Sequence, residues 1–356
     1  MKKKVIWGLL IVVLIAVAAA GVMIYQEYNV WNTPWGAPDD RFLLDIPEGW
    51  SARQIGTLLE EKGIIDNVTV FLIIADLRGI GDSLKAGEYE FTGNQTPYEA
   101  LDLLATGWNY RRSLVIPEGF TQLQIAQRCE EMEICSAEAF IAESNSSQTF
   151  AVVVTAPDGT NAANEGVFFP DTYFLIRNTP PVKVLERMVR KFEKVFNPIF
   201  TAAQDDQSKS YWWRQTELIA NDASHSVVIL ASIVEKEAKQ DEDRAKIAAV
   251  FVNRLKKGMP LQSDSTVHYA IQDWSRALTK ADLDFDSPYN TYQRKGLPPA
   301  AICNPGEASL RAAIDPADID GLYFISMNDS DTRYTADYNE FLKWKREYKL
   351  DKQSAE

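Results

Sequence analysis

The chain has 356 residues, a formal net charge of −13 and a pI near 4.8, and this length allows a membrane anchor and two or three domains with their own cores. The negative charge argues against nucleic-acid binding, since phosphate recognition needs a basic face, and against attachment to anionic lipid through the soluble surface alone. Two histidines leave too few ligands for a His/Cys metal site, and we expect no metal or cofactor. The spacing of the three cysteines, Cys129, Cys135 and Cys303, predicts no disulfide framework. A disulfide between Cys129 and Cys135 is the alternative.

The N-terminus predicts a membrane anchor. Val5 to Tyr25 contains no charged side chain and follows Lys2-Lys3-Lys4; about 20 apolar residues span a bilayer core, and a lysine cluster marks the cytoplasmic end. A cleaved signal peptide is the alternative, because Ala18-Ala19-Ala20-Gly21 offers small residues to a peptidase, but the stretch is longer than the apolar region of a signal. Residues 1–4 are then a cytoplasmic stub and residues 26–41 a linker, and the body lies outside the cytoplasm.

A short internal sequence repeat follows the linker. Leu44 to Ser51 returns, with changes, as Val115 to Thr121, and both copies contain Ile-Pro-Glu-Gly. Each copy predicts a strand, a turn and a helix capped by Ser51 or Thr121. The two helices cover Ala52–Lys62 and Gln122–Glu131. A helix over Val68–Leu77, a strand over Lys85–Phe91 and a helix over Pro97–Thr106 complete a small α+β module.

Further predicted elements complete a larger mixed α/β domain, so the fold class is α+β. They are a surface loop from Ser144 to Asn164, a helix over Val182–Phe196, a helix from near Ser224 or Ser226 to about Lys239, a helix capped by Asp241 that runs to Lys257, a buried strand over Gly321–Ser326 and a terminal helix over Phe341–Lys349.

Two glutamates, Glu235 and Glu237, lie in the predicted helix that ends near Lys239. One face of this helix is apolar and carries Val227, Leu230, Ala231, Val234 and Ala238. Measured from Val234, Glu237 lies about 60° away and Glu235 about 100° away on the other side, which places Glu237 nearer the apolar face. A buried Glu keeps its proton near neutral pH, as a general acid for glycosidic bonds must.

The alternative is that both glutamates are solvated and form ion pairs with Lys236, Lys239 or Arg244. The segments that follow favour the catalytic interpretation, because they carry polar and aromatic side chains typical of a sugar-binding cleft. The candidates are Gln262, Asp264, Thr266, Tyr289 and Asn290. No serine-hydrolase elbow, phosphate-binding loop or dinucleotide fingerprint is present.

These motifs together resemble the YceG-like family of endolytic murein transglycosylases. They are Glu165-Gly166, Phe169 to Tyr173, Ala231 to Ala238, Asn253-Arg254-Leu255, Leu261 to Val267, Tyr289 to Tyr292 and Gly296 to Pro299. The resemblance implies a single-pass protein of the inner or plasma membrane with a cytoplasmic N-terminus. It also implies a LysM-like module at residues 42–107, a catalytic domain outside the cytoplasm at 108–350 and a tail at 351–356.

The family resemblance assigns catalysis to Glu237, and we assign Glu235 a supporting role in orienting it. It implies peptidoglycan glycan strands as substrate, cell-wall synthases (penicillin-binding proteins) as partners and a role in setting glycan length. This chain has Asp264-Ser265-Thr266 where the family usually has Asp-Pro-Thr, and loss of the proline removes a restraint on the loop. In the expected lytic reaction, Glu237 protonates the bond between N-acetylmuramic acid and N-acetylglucosamine, and the C6 hydroxyl closes a 1,6-anhydro ring.

Two alternatives stay open at this point. A muramidase of the lysozyme type needs a second carboxylate opposite Glu237, for which Asp264 is the candidate, and leaves reducing ends. A membrane-anchored peptidoglycan-binding scaffold needs no catalytic group, and its glutamates are structural.

Overall fold

The computed structural model describes residues 40–93, 95–107, 109–146, 164–215, 218 and 222–355, together with positions 7, 11, 13–19, 21, 22, 26, 29 and 33. About half of the predicted membrane segment, and most of the linker and of the loop predicted after Ser144, lie outside the described residues, so the anchor stays a prediction. In the described part of the chain, no helix is long and apolar enough to cross a membrane. The chain divides into two compact units, Met1–Arg111 and Arg112–Glu356.

The first unit contains the predicted small α+β module. Its elements are β1 (Arg41–Ile46), α1 (Ala52–Glu61), α2 (Val68–Leu77), β2 (Gly87–Thr92) and α3 (Pro97–Thr106). Strands β1 and β2 pair antiparallel, and the helices cover a core of residues such as Phe71 and Leu101. Ser51 caps α1 as predicted, in a capping box with Gln54.

The second unit begins with the same order of elements. Strand β3 (Arg112–Val115) leads through the Pro-Glu-Gly turn into α4 (Gln122–Glu131), α5 (Ala137–Ser144) and β4 (Thr172–Leu175), which pairs antiparallel with β3. The turn glycine has φ of 78° in both copies, at Gly49 and Gly119, a conformation that favours glycine. Thr121 and Gln124 repeat the capping box. The internal sequence repeat therefore corresponds to a repeated β-turn-α-α-β unit.

Helix α6 (Pro181–Asp205) is longer than predicted and contains Pro198. The apolar spacing in the sequence predicted an end at Phe196. Proline removes a backbone donor and disfavours a helix interior. The structure continues because the rings of Phe192, Phe196 and Phe200 stack at successive centroid distances of 5.1 Å, and Phe200 meets Trp213 at 4.9 Å. Aromatic packing of this kind outweighs a local propensity.

The centre of the second unit is α7 (Ala223–Glu237), whose residues from His225 to Val234 are all buried. It is followed by α8 (Asp241–Lys256), α9 (Asp264–Ile271), α10 (Lys280–Leu283) and α11 (Glu307–Ile314). Helix α11 packs on α7 and α8. Helix α7 ends at Glu237, close to the predicted end near Lys239. The prediction that Asp241 caps α8 was wrong, because Gln240 is the N-cap and Asp241 is the first residue of the helix.

The chain ends with β5 (Tyr323–Ser326), β6 (Thr332–Thr335) and α12 (Tyr338–Ala355). The strand predicted as buried, β5, is only half-buried along its length, because it belongs to a two-stranded antiparallel sheet with β6. All three cysteines are free. Among the described residues, no group of His, Cys, Asp and Glu side chains is arranged to hold a metal ion.

Candidate active site

Glu237 is the last residue of α7, and two serines bind its carboxyl group. The hydroxyl groups of Ser263 and Ser265 both donate to Oε1 of Glu237, over 2.6 and 2.9 Å. The side chain is half-buried, and among the described residues no arginine or lysine forms an ion pair with it. Glu237 is therefore a carboxyl group held by neutral donors.

The environment of Glu237 favours its protonated form. Burial raises the pKa of Glu237, and the nearby charge of Asp264 raises it further, while the donors on Ser263 and Ser265 act in the opposite direction. Its place at the negative end of the α7 dipole also disfavours a charge. The raised pKa is what a general acid needs, because the group still carries a proton at a pH where an exposed glutamate is ionised.

The turn before α9 brings the two serines to Glu237. Gln262 has φ of 53°, which is uncommon for a residue other than glycine, and its backbone N–H donates to the Thr291 carbonyl over 3.1 Å. Ser263 is the N-cap of α9, yet its side chain makes no capping bond to the helix. Its hydroxyl group instead donates to Glu237.

Glu235 lies two residues earlier and has different partners. Its side chain is only 6% exposed, with Oε1 3.2 Å from Arg244 Nη1, and Oε2 accepts the Gly306 N–H over 3.0 Å. The ion pair with Arg244 that the alternative interpretation expected is therefore found for Glu235. This arrangement suits a group that fixes the end of α7.

Three of the predicted substrate-binding residues lie inside the protein. Thr266 and Asn290 are fully buried, and Tyr289 is 8% exposed. The Thr266 hydroxyl donates to the Ser263 carbonyl over 2.7 Å, and the Asn290 amide donates to the carbonyls of Leu283 and Phe285. Any effect of Thr266 or Asn290 on substrate therefore acts through the shape of the loops.

Two of the predicted residues, Gln262 and Asp264, are exposed beside Glu237. Asp264 opens α9 and accepts a hydrogen bond from the Tyr292 hydroxyl over 2.6 Å. Burial and the neighbouring carboxyl groups of Asp264 and Glu237 raise the pKa of Tyr292, so its hydroxyl stays a donor. The exposed surface around Glu237 thus presents a carboxylate, an amide and a phenol, which are groups that hydrogen-bond sugars.

Sequence reasoning did not include Glu165 among the candidate site residues. Glu165 is 4% exposed, and burial raises its pKa to about 7. It precedes the turn glycine Gly166 and lies 72 positions from Glu237 in the sequence, so no local pattern could connect the two. The available signals were a glutamate within a mostly apolar segment and the place of Glu165-Gly166 among the motifs of the family resemblance.

Comparison with known proteins places the chain in a family. The model of the YceG-like family matches residues 44–347. Two endolytic murein transglycosylases from Streptococcus pneumoniae strains are 30% identical over 344 residues, which cover 89% of this chain and 60% of each relative. The chain thus spans 60% of the length of these relatives.

Two further relatives agree with this result. An endolytic murein transglycosylase from Bacillus subtilis is 30% identical over 317 residues, 86% of this chain and 84% of the relative. The crystal structure of a YceG-like protein from Listeria monocytogenes is 29% identical, with a TM-score of 0.54, and the match covers 86% of this chain and 99% of that one. The chain belongs to the YceG-like family, as the sequence motifs indicated.

Proposed function

We propose that the protein is an endolytic lytic transglycosylase that cleaves peptidoglycan glycan strands, with Glu237 as its acid and base. The observation that carries this proposal is the half-buried carboxyl group of Glu237, with its raised pKa and two serine donors. The names of the streptococcal and bacillar relatives support the same activity.

In the proposed reaction, protonated Glu237 donates to the oxygen between N-acetylmuramic acid and N-acetylglucosamine. The substrate acetamide stabilises the oxocarbenium-like state. Glu237, now ionised, takes the proton of the C6 hydroxyl, whose oxygen closes the 1,6-anhydro ring. The Ser263 and Ser265 hydroxyl groups stabilise the ionised form between these steps, since donors to a carboxylate favour its charge.

The proposal includes the organisation of the rest of the chain. Val5 to Tyr25 anchors the protein in the inner or plasma membrane as a single span with a cytoplasmic N-terminus, and residues 108–350 act outside the cytoplasm. The β-α-α-β order of the first unit supports a LysM-like module that binds glycan. Cleavage beside cell-wall synthases sets the length of new strands.

The ends of the released glycans test the activity. The full chain, in detergent, is incubated with purified peptidoglycan, and new ends are identified by mass spectrometry. We expect 1,6-anhydro-muramyl ends. Reducing muramyl ends show a hydrolase, for which Asp264 is the second carboxylate, and binding without new ends shows a scaffold.

A further inference from the structure

Glu165 is a buried carboxyl group that the proposed reaction does not use, and its neighbours are hydrogen-bond donors. The Gln122 backbone N–H donates to Oε1 over 2.9 Å and to Oε2 over 3.1 Å. The Asn304 amide donates to Oε1 over 2.8 Å, and the Tyr269 hydroxyl to Oε2 over 3.3 Å. Both oxygens therefore accept bonds from segments far apart in the chain.

One set of these bonds fixes the loops beside the catalytic helix. Asn304 also donates to the Phe120 carbonyl over 3.0 Å, and its own carbonyl accepts the Gly119 N–H over 2.9 Å. Two residues later, the Gly306 N–H donates to Glu235. Glu165 thus holds the second Pro-Glu-Gly turn and the loop that binds the end of α7.

The hydrogen bond from Tyr269 connects Glu165 to Glu237 through α9. Tyr269 follows Ser265 by four residues in this helix, so the two side chains lie on one face, about one turn apart. Tyr269 donates to Glu165, while Ser265 donates to Glu237 over 2.9 Å. Helix α9 is therefore attached at two successive turns to two different carboxyl groups.

The charged and titratable groups around Glu165 come from several elements. The Lys236 ammonium on α7 acts on it at longer range and opposes the effect of burial on its pKa. Burial and the charge of Glu165 raise the pKa of Tyr269, so that hydroxyl stays protonated and donates. Burial also raises the pKa of the Cys303 thiol. A cavity of about 320 Å³ beside Glu165 is lined in addition by Glu193, Asp222 and His225, and burial lowers the pKa of His225.

We propose that Glu165 is a positioning residue of the catalytic site. Through Tyr269 it fixes α9 so that the Ser265 hydroxyl reaches Glu237, and through Asn304 it fixes the loop at the end of α7. It does not touch the substrate. The expected effect on the reaction rate rests on the proposed function. The expected effect on the pKa of Glu237 does not, because it concerns only the hydrogen bond from Ser265 to that carboxyl group.

The test compares Glu165→Gln, Tyr269→Phe and the double variant in the full chain. Glu193→Gln is the matched control, since Glu193 lines the same cavity and, among the described residues, no hydrogen bond or ion pair joins its side chain to α9 or Asn304. The release of anhydro-muramyl ends is measured from about pH 5 to pH 9, with kcat and KM separated. The pKa of the Glu237 carboxyl is measured independently by ¹³C NMR titration, with Glu237→Gln to assign the signal.

We expect Glu165→Gln and Tyr269→Phe each to lower kcat about tenfold with little change in KM, because small misplacements of a catalytic group are costly. Both should raise the pKa of Glu237 and move the alkaline limb of activity to higher pH. The double variant should be no worse than the more severe single variant, since both act along one route, and Glu193→Gln should match the native protein.

The proposal is overturned if Glu165→Gln folds and has the same reaction rate and the same Glu237 pKa as the Glu193→Gln control. It is also overturned if the losses multiply in the double variant. If the native protein releases no anhydro ends, the proposed function fails, and the NMR titration still decides whether Glu165 positions the donor on Glu237.

Discussion

The Ser263 hydroxyl donates to Glu237 over 2.6 Å although Ser263 is the N-cap of α9. A serine at this place ordinarily accepts a bond from the backbone of its own helix. Here the hydroxyl makes no such bond, and it acts on the carboxyl group at the end of α7. The Ser263 hydroxyl therefore acts on Glu237, the proposed general acid, in place of capping α9.

Ser263→Ala is expected to move the pH profile of activity with little loss of stability. The substitution removes a donor that favours ionised Glu237, so the pKa of Glu237 rises further and activity persists to higher pH. Ser136 is the matched control, because its hydroxyl does cap α5 through the Ala139 N–H, over 3.3 Å.

Ser136→Ala should lose about 1 kcal/mol of the free energy of unfolding, with an unchanged pH profile. Urea unfolding and rates across pH measure both effects. An alkaline limb that stays in place in Ser263→Ala contradicts the assignment of its hydroxyl to Glu237.

Arg244→Leu is expected to destabilise the second unit strongly. It leaves Glu235, whose side chain is 6% exposed, without its cation, and the loss of one partner of a buried pair costs about 3–5 kcal/mol. Glu235→Gln should cost less, since a glutamine oxygen can still accept the Gly306 N–H.

Differential scanning calorimetry of the two variants gives the comparison. Arg311→Leu serves as control, because the Arg311 pair with Glu307 is exposed on both sides and such pairs contribute about 0–1 kcal/mol. Equal stability of Arg244→Leu and Arg311→Leu would show that the Glu235 pair is not buried in solution.

Glu165 should make stability fall as pH rises from about 4.5 to 7. Its pKa is raised from 4.5 to about 7, so the folded chain binds more protons than the unfolded chain in this window, and the free energy of unfolding decreases with pH there. Through Glu165 alone, the free energy of unfolding should be about 3 kcal/mol lower above pH 7 than below pH 4.5.

The Glu165→Gln variant should lack this component of the pH dependence. Urea unfolding at several pH values, with Glu193→Gln as control, measures it. A Glu165→Gln curve parallel to that of the native protein across the window would exclude an elevated Glu165 pKa.

Local signals in the sequence predicted most helices, and they failed where distant contacts decide. The capping boxes at Ser51 and Thr121 depend on residues three positions away, so the starts of α1 and α4 were predicted. Helix α6 continues past Pro198, where Phe200 stacks on Phe196 and contacts Trp213. The contact with Trp213 comes from beyond the helix, so the apolar spacing within the helix could not predict it.

The candidate site was also predicted only where local sequence signals were sufficient. The apolar face of α7 pointed to Glu237, but it also placed Glu235 farther from burial than the structure does. What separates the two glutamates is the partner of each, Arg244 or two serines, and these come from other helices. For the same reason Glu165, which is held by Gln122, Tyr269 and Asn304, was not predicted as a site residue.

The assignment of catalysis to Glu237 is tested most directly by a paired substitution. Glu237→Gln and Glu235→Gln are compared in the full chain for the initial rate of release of anhydro-muramyl ends from peptidoglycan. We expect Glu237→Gln to lose about 10²–10⁴ in rate, since amide nitrogen cannot replace a general acid, while it stays folded and Glu235→Gln keeps most of its activity. A folded Glu237→Gln that retains the native rate, or an equal loss in Glu235→Gln, would contradict the account.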